Sequence, residues 1–212
     1  MGLTTSLQAL SVTFQISLCM VRILLLQPKL DYMKIVLFVA LPTELPLEKI
    51  PMGVDVYYTG VGKINAAIKA TEILKELSPS DTIVINYGSA GASGDLVGCL
   101  VKCSTFVQRD MDARPFVEKT MTPFDELLYP KLKGAISIQF GSGLTCHTQD
   151  KFEKKPAMIC DMEAYSIAKV CKIYGFNFVA YKYISDNGNP NDWETNHNKG
   201  IQLFLEILAP MV

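Results

Sequence analysis

The sequence predicts an α/β fold in which a largely parallel or mixed sheet is covered by helices on both faces. Three observations carry this. Continuous apolar runs recur along the chain, as strands buried on both faces require. Segments of helical period lie between them. Glycine-rich breaks stand where several runs end. Strands joined through helices give such a sheet, and its ligand sites cluster at loops beyond the carboxyl ends of the strands.

Residues 34–41 (KIVLFVAL) form the first run, and 54–59 (VDVYYT) a second, shorter strand that Gly60-Val61-Gly62 breaks. Residues 63–77 follow with apolar side chains at Ile64, Ala67, Ile68, Ile73, Leu74 and Leu77, a helical period that Pro79 ends. Residues 82–87 (TIVINY) read as a buried strand leading into a small-residue turn, Gly88-Ser89-Ala90-Gly91. Further strands are expected at 99–107, 135–140 and 176–184. Helices are expected at 162–174, closed by Gly175, and at 192–208.

The 212 residues suit one domain of ordinary size, with 49% hydrophobic residues. Net charge is −1, from 20 basic and 21 acidic residues. That balance offers nothing to neutralise phosphates, so a nucleic-acid partner is not expected, nor a polybasic membrane contact. Six cysteines without a CxxC pair read as reduced thiols of an intracellular, cytoplasmic protein. Two histidines, His147 and His197, exclude a histidine-rich metal site. Residues 1–32 are apolar, with only Arg22, Lys29 and Asp31 charged. They stand as an extra segment before a domain at 33–212. A targeting segment, an additional helix and sequence upstream of a start at Met33 all stay open; the strand directly after Met33 favours the last.

Five segments could carry chemistry, and each has a plain structural explanation beside the functional one. Thr59-Gly60-Val61-Gly62-Lys63 lets backbone approach a ligand at a helix start, or is a tight strand–helix turn. Asn86-Tyr87-Gly88-Ser89-Ala90-Gly91 is a second such turn. Cys160-Asp161-Met162-Glu163-Ala164 places two carboxylates at a helix start, which the helix dipole alone would favour. Asp186 ends an apolar strand, as a turn-forming aspartate would, and Glu44 lies just beyond another. Together Glu44, Glu163 and Asp186 could supply an acid, a base and a sugar-hydroxyl acceptor to one cleft.

In order along the chain, residues 33–44, TGVGKINAA, NYGSAG, VQRDMDA, DMEA and ISD resemble the 5′-methylthioadenosine/S-adenosylhomocysteine nucleosidases. The resemblance covers nearly all of 33–212. It implies a three-layer nucleoside phosphorylase-like fold with a central mixed β-sheet flanked by helices. It implies a purine nucleoside substrate, hydrolysis of the N-glycosidic bond, no metal or organic cofactor, and a homodimer. Residue by residue, Glu44 corresponds to the acid that activates the attacking water. Glu163 corresponds to the carboxylate that holds the ribose hydroxyls, with Met162 beneath the sugar. Asp186 corresponds to the acid that protonates the purine N7, preceded by Ser185. Ser89 and Gly91 correspond to the turn beside the ribose and water. Lys182 stands where these enzymes carry an arginine near the water, and His147 falls in the strand before the base pocket.

Two departures accompany the resemblance. Leu144 and Cys146 fall where an aspartate and a base-stacking aromatic are expected. The stretch between NYGSAG and DMEA is shorter than usual, which leaves the 5′ side of the substrate open. The alternatives are therefore a phosphorylase of the same fold and a non-catalytic nucleoside-binding homologue. The absence of an arginine just before Gly88-Ser89 favours water over phosphate as nucleophile.

Overall fold

Strand β1 (Lys34–Val39) sends side chains to two separate cores, because successive residues of a strand point to opposite faces. Ile35, Leu37 and Val39 pack in one core; Val36 and Phe38 pack in the other. This sheet position is known from a computed structural model, which describes residues 33–132 and 137–212. The expectations for residues 1–32, and for 135 and 136 of the fifth expected strand, lie outside the described residues.

After β1 come β2 (Val54–Tyr58), α1 (Lys63–Leu74), β3 (Thr82–Gly91) and β4 (Leu100–Gln108). A short α2 (Asp125–Leu128) precedes β5 (Ile138–Gln139), β6 (Leu144–Thr148) and β7 (Ile159–Asp161). The chain ends with α3 (Ala164–Tyr174), β8 (Asn177–Asp186), α4 (Pro190–Asn196) and α5 (Ile201–Leu208). The eight strands make one mixed sheet. β1 runs parallel between β2 and β3. Beyond them the sheet curls: β3 pairs β8, β8 pairs β4, β4 pairs β6, β6 pairs β7, and Gly91 of β3 pairs Cys160 of β7. Five strands thus close a ring from which β1 and β2 extend.

Helices cover both faces. α5 places Ile201, Phe204 and Leu208 on the first core, at helical spacing; full burial of such side chains contributes about 1.5–3 kcal/mol each. The Phe204 ring stacks on Tyr87 with centroids 4.3 Å apart. α1 and α3 cover the other face. α3 buries Ala164, Ile167, Ala168 and Cys171 and ends at Gly175 in the left-handed conformation, as expected. α1 turns Ala66, Ala70 and Leu74 inward rather than the bulkier stripe read from the sequence, and Ile64 and Ile68 are 72% and 55% exposed. Among the described residues no helix is long and apolar enough to cross a membrane.

Three expectations change. The Gly88–Gly91 segment is not a turn but the end of β3, which stays paired to β8 through Gly91. Small residues there leave room above the strand instead of bending it. The ISD segment is likewise the last turn-free stretch of β8. The single helix expected at 192–208 is two helices separated by residues 197–200, and their contacts go to different targets: Trp193 and Asn196 hydrogen-bond to the ends of β3 and β8, while Ile201, Phe204 and Leu208 face the sheet.

Candidate active site

The carboxyl ends of β1, β3 and β8, together with the segment between β7 and α3, surround a cavity of about 370 Å³. Glu44, Ser89, Gly91, Met162, Glu163 and Asp186 all line it. Its acidic residues are Glu44, Asp161, Glu163, Asp186 and Glu194, and among the described residues no lysine, arginine or histidine lines it. A second cavity of the same volume lies between α1 and α3, with Lys169 but no carboxylate in its wall.

Glu44 is held by β3. Its Oε1 accepts the Ser89 N–H at 2.9 Å and the Ser89 hydroxyl at 2.6 Å, while Oε2 accepts the Leu41 N–H at 3.3 Å. Asp186 is held by its own turn: Oδ1 accepts the Gly188 N–H at 2.7 Å and Oδ2 accepts the Ser185 hydroxyl at 2.8 Å. Two glycines make this possible. Gly188 has φ +99°, and a Cβ there would lie 2.2 Å from the Lys154 carbonyl. A Cβ on Gly91 would press within 3.2 Å of Asp186 Oδ1.

Glu163 occupies the residue before α3, not a position inside the helix, and its side chain turns to the start of α1. There Oε1 accepts the Gly62 N–H at 2.9 Å. Burial and then the neighbouring Asp161 charge push its carboxyl up to about 8, against the opposing pull of Lys182 and the Gly62 bond. At neutral pH the carboxyl is thus largely protonated, which limits repulsion among acids crowded into one cavity. The next α1 donor, Lys63 N–H, is taken by Asp150 at 2.8 Å. Two of the free N–H groups at this helix start, those of Gly62 and Lys63, are therefore occupied by carboxylates of the chain itself.

Residues 53–212 match the model of the phosphorylase superfamily. The chain belongs to the phosphorylase superfamily. Within it, the chain is 33% identical to the 5′-methylthioadenosine/S-adenosylhomocysteine nucleosidase of Chromohalobacter salexigens over 159 residues, 63% of this chain and 66% of that enzyme. It is 30% identical to the nucleosidase of Shewanella halifaxensis over 164 residues, covering 65% and 70%. The alignment thus spans just under two thirds of the first relative. Among solved structures it resembles the futalosine hydrolase of Helicobacter pylori, with TM-score 0.69 and 21% identity over 84% of this chain and 96% of that one. It also resembles the methylthioadenosine/S-adenosylhomocysteine nucleosidase of Colwellia psychrerythraea in complex with adenine, with TM-score 0.65 and 20% identity over 78% and 88%.

In this superfamily member three expected site residues stand behind the cavity wall. Ser185 is fully buried and touches the cavity wall through Asp186 and the Ala90 carbonyl. Lys182, expected near the water, has its ammonium 2.8 Å from Asp161 Oδ2, both side chains shielded from solvent. A buried charge requires a partner, and Asp161 provides it. The pairing, outweighing burial, raises Lys182 and lowers Asp161. Asp161, read as a helix-start acid, ends β7 and caps α3 by accepting the Ala164 N–H at 2.7 Å. His147, expected as a substrate-binding residue from the strand before the base pocket, lies on β6 outside the cavity, and burial followed by the Arg109 charge lowers its pKa.

The departure at Leu144 and Cys146 is also corrected. Leu144 is 47% exposed at the start of β6 and Cys146 is buried in the core; neither lines the cavity. An aromatic is nevertheless present, because Phe152 lines the cavity two residues after Asp150. It lies in a loop beyond the carboxyl end of β6, the kind of position that pointed to Glu44 and Asp186. Trp193 is a second wall residue that sequence reasoning missed; only its being the single tryptophan marked it.

Proposed function

We propose that this chain hydrolyses the N-glycosidic bond of a purine nucleoside, with 5′-methylthioadenosine and S-adenosylhomocysteine, named for its relatives, as the first substrates to test. The observation that carries this reading is one cavity that gathers Glu44, Glu163 and Asp186 with no basic side chain among the described residues of its wall. Glycoside cleavage needs an acid for the leaving group, a base for water, and anionic surroundings for an oxocarbenium-like sugar. Asp186 protonates the purine at N7, so that the base leaves neutral. Glu44 takes the proton of the attacking water through Oε2, since Oε1 is filled by Ser89. Glu163 binds the ribose hydroxyls above Met162. Phe152 supplies an apolar ring for the purine, in place of the aromatic absent at Cys146. The reaction needs no cofactor in this scheme.

Phosphorolysis fits the site less well. A phosphate nucleophile calls for cationic side chains or several free N–H donors. No cationic side chain among the described residues lines the cavity to hold it, and the Gly62 and Lys63 N–H groups are already bonded to Glu163 and Asp150. The test is adenine release from 5′-methylthioadenosine by the purified protein with and without phosphate, followed by chromatography. Equal release in both is expected. Release that requires phosphate assigns a phosphorylase, and no release across a nucleoside panel overturns the enzymatic reading.

A further inference from the structure

Trp193 lies on α4, and its indole N–H donates to Ser89 Oγ at 2.9 Å. A serine hydroxyl carries one proton. With the indole N–H occupying a lone pair of Oγ, that proton is committed to Glu44 Oε1, 2.6 Å away. The Ser89 N–H adds a second bond to the same oxygen at 2.9 Å. The two bonds leave Oε2, with its single long contact to Leu41 N–H at 3.3 Å, as the oxygen open to a new donor.

We infer that Trp193 is a positioning residue for the reaction: through the Ser89 hydroxyl it fixes the Glu44 carboxylate so that Oε2 meets the attacking water. This rests on Glu44 being the base proposed above. The helix that carries Trp193 is itself anchored at both ends. Asn189 caps it by accepting the Asn191 N–H at 3.1 Å, and Pro190 starts its first turn. At the other end the Asn196 amide donates to the Ser185 carbonyl at 3.0 Å. Ser185 is the hydroxyl partner of Asp186. One seven-residue helix therefore contacts the serine that supports each of the two proton-handling acids. A residue needed only as an apolar wall would have no use for the indole nitrogen, and this nitrogen is aimed into the acid's hydrogen-bond chain.

The test separates the N–H from the ring. Trp193→Phe keeps an aromatic wall and removes the donor. Loss of one neutral hydrogen bond predicts about a three- to tenfold fall in kcat with KM little changed. Ser89→Ala interrupts the same chain, so the Trp193→Phe/Ser89→Ala double variant should be no slower than Ser89→Ala alone. A readout without turnover comes from the single tryptophan, which gives one indole cross-peak in a nitrogen–proton correlation spectrum. That peak should move in Ser89→Ala and in Glu44→Gln, although the His197 ring stacked 4.9 Å away is untouched in both. Rate losses that multiply, a rise in KM alone, or an indole peak that ignores Ser89→Ala and Glu44→Gln overturns the inference. Should wild-type protein release no purine, the hydrolase reading falls, and the indole spectrum still decides whether Trp193 reaches Glu44. Should Trp193→Phe fail to fold, the Ser89→Ala and Glu44→Gln spectra decide alone.

Discussion

Replacing Glu163 by glutamine should change how stability depends on pH, with a sign set by its burial beside Asp161 and a size bounded from above. The carboxyl is 7% exposed, and burial followed by the Asp161 charge raises it from 4.5 to about 8. Below pH 4.5 it is protonated in folded and unfolded chains alike, so its contribution is complete there. Between 4.5 and 8 the unfolded chain gives up the proton while the folded chain keeps it, and stability falls as pH rises. Above about 8 both forms are ionised and the loss is complete. At roughly 1.4 kcal/mol per pH unit, the loss across that window reaches at most about 5 kcal/mol. Glutamine has the shape of the protonated acid and can still accept the Gly62 N–H. Glu163→Gln should therefore match wild type near pH 4.5 and exceed it by up to about 5 kcal/mol at pH 9, in urea melts at matched ionic strength. His147, whose pKa is lowered, titrates in the same window with the opposite sign but is present in both proteins, so it cancels in the difference. Parallel stability curves for the two proteins from pH 4.5 to 9 would refute the protonated, buried Glu163.

Lys182→Met leaves the fully buried Asp161 charge without its ion-pair partner and should cost about 3–5 kcal/mol in urea denaturation. Asp186→Asn can still accept the Gly188 N–H, so the melting temperature should stay near wild type while kcat for purine release falls by about 100-fold or more. A rate near wild type removes the assigned acid. Phe152→Ala should raise KM by about two- to tenfold and leave kcat nearly unchanged, as expected for a ring that holds the base without touching the reacting bond.

Much of the architecture could be read from the chain because apolar runs and glycine breaks are local signals. The runs at Lys34–Val39 and in β3 fixed the sheet, and Gly175 ended α3 where the sequence placed the stop. Glu44 and Asp186 were legible because each stands where a buried strand ends. The ion pair of Lys182 is not legible in sequence, which shows a charge but not its partner; Asp161 lies 21 positions away. Phe152 is hidden in the sequence because Leu144 and Cys146 stand at the motif's expected place, while pairing of β6 with β4 and β7 sends the cavity edge further along. Trp193 sits in a polar helix whose role depends on a hydroxyl 104 positions earlier, which no local pattern reveals.

The closed ring of strands has a consequence for when the site can exist during synthesis. Gly62 meets Glu163 across 101 positions and Ser89 meets Trp193 across 104, so no nascent fragment that ends before α4 holds a complete cavity. Contacts of such sequence separation form late, after loop-closure entropy has been met. A ligand of this cavity therefore binds only finished molecules. Its stabilising effect is delivered entirely to the native state, and ligand protection against a protease becomes a measure of completed folding rather than of any earlier intermediate.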